Sequence, residues 1–263
     1  MCTIGVVRNK ETGRVIFFKN VDQTFACRYP DAFIRSGERY RYLKIPSNSD
    51  PMDNGVLAGV NEAGVVVLGA DGNCMPNYCG SAYGSLNDSL VVYEEVLSTC
   101  GTVWEAMQCV MKEYQERQMG GNGDIIIVGD RDETVALEYS PDRWGIEFMG
   151  RKPYMVRSNF FVLMDRLRPA PEENTLHTSS AIRYSDALKC LSVKGSLNTL
   201  DDVFGLVRSH EQGLTAMSIC RHGGEGEYFT HASFVAELRR DGVDAYVMLN
   251  TRPCEGEYRR FTF

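Results

Sequence analysis

Basic residues are in short supply: 28 Lys and Arg against 35 Asp and Glu leave a formal charge of -7 over 263 residues. A chain charged this way has no broad electrostatic attraction for nucleic acid or an anionic membrane surface, so neither is expected as a partner. Long apolar runs are missing too. No stretch approaches the roughly 18 to 20 apolar residues of a spanning helix. The N-terminus carries no basic segment followed by an apolar one, so the expected location is cytoplasmic. The nine cysteines (2, 27, 74, 79, 100, 109, 190, 220 and 254) include no CxxC pair. An odd count without metal spacing suggests reduced thiols, most of them small apolar core residues. Cys74 and Cys79 have four residues between them and no histidine nearby, which argues against zinc. No metal and no cofactor is expected. No repeat, low-complexity tract or linker interrupts the chain, which reads as one domain over 1–263.

What is present is a succession of short β-branched and aromatic runs broken by two helical pairs. Residues 3–7 and 14–19 read as a hairpin closed at Gly13, and 56–60 and 65–69 as a second around Asn61-Glu62-Ala63-Gly64. A further strand is expected at 39–45. Residues 74–87 are rich in Gly, Asn, Ser and Tyr, as in a loop over a pocket. Helices are expected over 89–100 and 103–118, the second with Trp104, Met107, Val110, Met111 and Tyr114 as a core stripe. Residues 124–128, 134–139, 146–149 and 154–156 read as four strands of one meander. Helices at 180–193 and 200–210 and strands at 215–220, 228–238 and 243–250 complete the chain. Without an alternating βαβ rhythm, the order points to an α+β fold with helices packed outside antiparallel sheets.

Within this plan Cys2 is the residue of chemical interest. One trimming step that removes Met1 would leave a thiol and a free α-amine on the same residue. With reference pKa values of about 8.5 for the thiol and about 7.7 to 8.0 for the amine, the pair is a nucleophile with its own base. The first hairpin returns Lys19 to Asp22 beside it.

Several motifs, in order along the chain, resemble one family. They are Met1-Cys2, Lys19-Asn20-Val21-Asp22, Gly59-Val60-Asn61-Glu62-Ala63-Gly64-Val65, Arg157-Ser158-Asn159-Phe160, Ser180-Ala181-Ile182-Arg183 and Asn250-Thr251-Arg252-Pro253-Cys254. Together they resemble the N-terminal-nucleophile hydrolases. Within these, the similarity is to the choloylglycine hydrolase and penicillin V acylase group and to the acyl-CoA:6-aminopenicillanate acyltransferase-like group. The resemblance implies a four-layer αββα sandwich with two central antiparallel sheets. It also implies cleavage of a linear carbon–nitrogen amide bond in a small N-acyl compound through an acyl-cysteine intermediate. Acyl transfer, dipeptide cleavage and non-catalytic ligand binding with Met1 retained are the other readings of such a chain, and a homo-oligomer is compatible with all of them.

Carried over by position, the resemblance makes Cys2 the nucleophile and Asp22 the carboxylate that orients its α-amine. Asn159 becomes an oxyanion donor and Arg183 part of the charge network. Lys19 stands where many members have arginine, and offers a point charge instead of a planar fork. Asp71 stands where bile salt hydrolases have an asparagine that donates to the oxyanion. An ionised carboxylate about 4 Å from an oxyanion would cost on the order of 4 kcal/mol at an effective dielectric near 20. The donor is therefore expected to be Asn73 or a backbone N–H near Gly72, with Asp71 turned to the substrate pocket, where it would favour a cationic or hydroxylated group.

Overall fold

The computed structural model describes residues 1–24, 28–47, 55–72, 86–117, 123–140, 143–164 and 175–263. Strand β1 (Cys2–Arg8) turns back into β2 (Val15–Gln23), with Cys2 opposite Val21 and Ile4 opposite Lys19. The tip is held by Asn9, whose side-chain oxygen accepts the Glu11 and Thr12 N–H groups, and by Gly13 at φ 68°, in the left-handed region that glycine reaches without strain. The chain then passes through β3 (Arg35–Ser36), β4 (Arg41–Pro46), β5 (Val56–Asn61) and β6 (Val66–Asp71). Helices α1 (Leu86–Thr99) and α2 (Val103–Glu116) follow. Next come β7 (Asp124–Gly129), β8 (Thr134–Ser140), β9 (Arg143–Phe148) and β10 (Tyr154–Arg157). Helices α3 (Thr175–Lys194) and α4 (Leu200–Val207) precede β11 (Phe229–Arg239), β12 (Gly242–Leu249) and β13 (Arg259–Thr262).

These strands form two antiparallel sheets, ordered β10-β1-β2-β11-β12-β13 and β3-β4-β5-β6-β7-β8-β9. Strand alternation sorts their side chains into layers. In β1 and β2, Cys2, Ile4, Val6, Val15, Phe17 and Val21 point into the core between the sheets, where they meet Leu43, Val60, Leu68 and Ile127 of the second sheet. Val7, Ile16 and Phe18 point the other way, onto Ala187 and Leu191 of α3 and Val203 and Leu206 of α4. The outer face of the second sheet, including Val67, Ile126 and Leu137, packs on Val92, Val96, Ala106 and Val110 of α1 and α2. The result is a four-layer αββα sandwich.

The Asn61–Gly64 turn shows why its sequence is so specific. The buried Asn61 amide donates to Leu97 and Cys100 carbonyls at the C-terminus of α1, and its oxygen accepts from Val65 N–H, while Gly64 takes φ 91°. The motif fastens helix to hairpin by capping two helix-end carbonyls.

Three expectations are corrected. The strands β7, β8 and β9 form a meander, but β10 leaves it and pairs with β1 in the other sheet. Residues 215–220 are turns, because Ser218 Oγ donates to Gly213 O and accepts from Gln212 N–H while Thr215 Oγ1 accepts from Met217 N–H. Local side-chain bonds of this kind compete with a ladder. The buried stripe of α2 is Val103, Ala106, Val110 and Tyr114; Trp104 is 50% exposed and lies against Phe148. The segment around Phe161 is core, with Phe161 and Met164 buried and the N–H groups of Val162, Leu163 and Met164 all donating to the buried Glu138 carboxylate. Among the described residues no helix is long and apolar enough to cross a membrane. The 74–87 loop falls mostly outside the described residues, as do Asn73 and Cys79.

Candidate active site

Cys2 begins a strand flanked by neighbours on both sides, and this is what brings distant residues to it. On one edge, β10 runs antiparallel to β1, so the chain leaving Arg157 delivers Ser158 and Asn159 beside Cys2. Asn159 Oδ1 accepts the Cys2 N–H at 2.7 Å, and Asn159 Nδ2 donates to the Asp71 carbonyl at 2.9 Å. The orientation of the amide follows from its partners, since a backbone N–H only donates and a carbonyl only accepts. From the helical layer, α3 sends down Arg183, which is fully buried. Its Nη1 donates to Cys2 O at 2.7 Å and to Thr3 Oγ1 at 2.8 Å. Its Nη2 reaches Asn159 Oδ1 at 3.3 Å and Ser180 Oγ, one helical turn back, at 3.2 Å. Ser158 Oγ adds a donor to Cys2 O at 3.2 Å.

Strand parity separates Lys19 from Asp22 on β2. Lys19 points into the layer between the sheets, where it is 1% exposed and its Nζ donates to Leu57 O at 2.7 Å and Gly69 O at 2.6 Å on the opposite sheet. Asp22 is equally buried but faces the helical side. Its Oδ1 accepts from Thr230 Oγ1 at 2.9 Å, and its Oδ2 lies 3.5 Å from Arg221 and 3.6 Å from Arg183. The two therefore do not form an ion pair at a hairpin end. Lys19 is a buried cation solvated by two carbonyls, and Asp22 a buried anion between two guanidinium groups.

Cys2, Lys19, Asp22 and Asp71 line one cavity of about 70 Å3, together with Met1, Tyr93 and Asp124. Met1 is 5% exposed and extends the β-ladder, donating from its amino terminus to Asp22 O and accepting from Asp22 N–H, both at 2.8 Å.

The expected site residues have the following partners. The group on the Cys2 nitrogen is Asn159, not the Asp22 carboxylate. Asn159 donates one of its two amide hydrogens to Asp71 O and takes the Cys2 N–H on its oxygen. The Gly72 N–H is bonded to Gly123 O in the sheet and is not available to an oxyanion. Asn73, the other expected donor, lies outside the described residues.

Several site residues escaped the sequence reading. Asp124 faces Asp71 across the β6–β7 ladder, and its Oδ2 accepts from Tyr114 Oη at 2.7 Å, with Tyr93 Oη 3.2 Å beyond. Burial, reinforced by the Asp71 charge and opposed by the Tyr114 hydrogen bond and by Lys19, pushes its carboxyl up to about 7 from an ordinary 3.8. Arg221 and Thr230 brace Asp22, and Arg221 also packs over the Tyr228 ring at 4.9 Å. No local motif announces these residues, because each is brought in by pairing between distant strands.

The raised Asp124 carboxyl carries a sign that can be tested. The folded state holds this proton where the unfolded chain has released it, so the stabilisation is full below 3.8 and is lost as pH rises through about 7. In Asp124→Asn that loss is absent. Between pH 5 and pH 8 the variant should gain about 2 to 3 kcal/mol relative to the native chain in urea unfolding. A difference that does not change with pH would show that Asp124 titrates normally.

Two facing antiparallel sheets clad by helix pairs form a four-layer fold that is shared with solved structures of amide hydrolases. Among solved structures, the chain is similar to penicillin V acylase from Agrobacterium tumefaciens, at 14% identity and TM-score 0.55, with 100% of this chain and 86% of that one covered. It is also similar to two structures of conjugated bile acid hydrolase from Clostridium perfringens, at 11% identity and TM-scores of 0.52 and 0.53, with 100% of this chain and 97% of those covered. No protein-family model matches the sequence, and no curated protein does.

Proposed function

We propose that this chain is an amidohydrolase of small N-acyl compounds, with Cys2 as nucleophile and its own α-amine as base once Met1 has been removed. The observation that carries the reading is the grip on Cys2: its nitrogen on Asn159 Oδ1 at 2.7 Å and its carbonyl on Arg183 at 2.7 Å, both buried, at the edge of a cavity. An amine held by an asparagine oxygen keeps its lone pair available to take the thiol proton. The Lys19 side chain stands in the same cavity, and the Arg183 guanidinium is bonded to the Cys2 carbonyl. The thiolate would add to the amide carbonyl, the amine proton would pass to the leaving nitrogen, and water would then release the acyl group from sulfur.

Removal of Met1 does two things in this geometry. It converts the Cys2 nitrogen from an amide, which is no base, into an amine. It also releases the Asp22 N–H and C=O, now engaged by Met1, to pair with an amide substrate laid along the same edge. The test is the intact mass of the protein, combined with hydrolysis of a panel of chromogenic N-acyl amides. Activity is expected only in the population that lacks Met1, with a transient acyl adduct on the N-terminal peptide. Full activity in a population that retains Met1 would overturn the proposal.

A further inference from the structure

About Arg221, away from the cavity, four side chains converge that the hydrolytic chemistry does not use. His210 follows α4, Cys220 and His222 lie on either side of Arg221, and Cys254 lies in the turn after β12. Their donor atoms all lie within 4.8 Å of one another. The individual separations are 3.5 Å between the Cys220 and Cys254 sulfurs and 3.1 Å between His210 Nε2 and His222 Nε2. His222 Nε2 is 3.8 Å from Cys220 Sγ and 3.2 Å from Cys254 Sγ. A tetrahedral zinc with bonds of about 2.3 Å to sulfur and about 2.0 to 2.1 Å to nitrogen has ligand–ligand edges of roughly 3.8 Å (S–S), 3.4 Å (N–N) and 3.6 Å (S–N). Four of the six edges fall within about 0.4 Å of these values, and the two from His210 to the sulfurs lie within 4.8 Å.

We propose that His210, Cys220, His222 and Cys254 form a structural zinc site. Two thiolates and two imidazoles in a tetrahedral array select zinc over the oxygen-seeking cations. Four protein ligands leave no open position, so the ion would hold chain segments together and perform no chemistry. The other ring nitrogen of His222 lies 4.0 Å from Glu255 Oε1, near it but beyond direct hydrogen-bond reach. A disulfide is the competing arrangement for the two sulfurs, but at 3.5 Å they are far beyond the roughly 2.05 Å of a bond.

The ligands come from segments already pinned to each other. Cys220 N–H donates to Ser209 O at 3.1 Å, and Arg208 Nε donates to Pro253 O at 2.9 Å. The residue between two of the ligands is Arg221, whose guanidinium reaches Asp22. A metal here would fasten the irregular 208–224 segment to the turn after β12 and so hold Arg221 in place beside the active-site carboxylate, making Arg221 a positioning residue. In the sequence the signal for such a site is the Cys220-Arg221-His222 spacing, since residues two apart in extended chain point to one side.

The decisive measurement is metal content and spectroscopy of the full chain, purified under reducing conditions without chelator. One equivalent of zinc per chain is expected, and replacement by Co2+ should give the intense visible bands and thiolate charge transfer of a tetrahedral site. Adding zinc to chelator-stripped protein should raise the thermal midpoint by roughly 5 to 10 °C. Cys254→Ser alters the most exposed ligand and so is the variant that keeps its fold; in it the cobalt spectrum and the zinc-induced shift should both be lost. Absence of bound zinc after equilibration, an octahedral cobalt spectrum, or freshly reduced and purified protein lighter by two hydrogens through a Cys220–Cys254 disulfide would each overturn the proposal. None of these readouts depends on amide hydrolysis.

Discussion

Cys2→Ala is expected to lower amide turnover by roughly 10^4-fold or more while leaving the midpoint of unfolding close to that of the native chain. Alanine is small, so the preceding methionine should still be removed and the α-amine retained; the variant deletes the sulfur alone. The effect is large because a base without a nucleophile can do no more than direct a water, and acyl transfer to sulfur is the step that divides a difficult hydrolysis into two easier ones. The stability cost is small because the Cys2 backbone, not its thiol, makes the bonds to Asn159, Ser158 and Arg183. Cys2→Ser separates nucleophilicity from shape: the hydroxyl fits, but its much higher pKa asks more of the amine, so it should fall near the alanine variant in rate. Turnover by Cys2→Ala within about tenfold of the native rate would place the chemistry elsewhere.

The parts of this arrangement that could be read in the sequence are those governed by local periodicity. Alternation along residues 3–7 and 14–19 defines the β1–β2 hairpin, and the hairpin by itself brings Lys19 and Asp22 to the Cys2 end. What alternation could also have shown is that Lys19 and Asp22, an odd and an even position on one strand, face opposite layers and cannot pair. The contact of Asn159 with the Cys2 nitrogen could not be read from local periodicity. It depends on β10 leaving the β7–β9 meander to join β1, a choice made by tertiary packing that no local propensity records. Asp124 and Arg221 are hidden for the same reason: one is an aspartate opening a strand and the other an arginine in a turn, and each meets its partner from dozens of residues away. Residues 215–220 misled because Thr, Met and Ile favour strands, whereas the hydroxyls of Thr215 and Ser218 close turns onto Gln212 and Gly213.

Arg183→Leu should destabilise the protein by about 3 to 5 kcal/mol, the cost of removing one partner from a buried charge network. The guanidinium is the hub of the site. It neutralises Asp22 jointly with Arg221, and it donates to Cys2 O, Thr3 Oγ1, Asn159 Oδ1 and Ser180 Oγ, all in a layer that water does not reach. Leucine fills much of the volume but withdraws the guanidinium donor, so Cys2 O keeps only Ser158 Oγ and Asn159 Oδ1 only the Cys2 N–H of the bonds described here, and the Asp22 charge loses half its compensation. Lysine keeps the charge, yet a single ammonium cannot span partners that the planar fork meets with two separate nitrogens, so Arg183→Lys should lose roughly half as much. The network origin of the effect is tested by adding Asp22→Asn. Once the carboxylate is gone, removing Arg183 leaves no uncompensated anion, so Asp22→Asn/Arg183→Leu should be less destabilised than the sum of its parts by at least about 1 kcal/mol. Urea unfolding of the three variants measures this directly, and strict additivity would mean that Arg183 acts through packing alone. Activity should fall with stability in Arg183→Leu but further, because the same nitrogens hold both the Cys2 carbonyl and the asparagine oxygen on which the catalytic amine is proposed to rest.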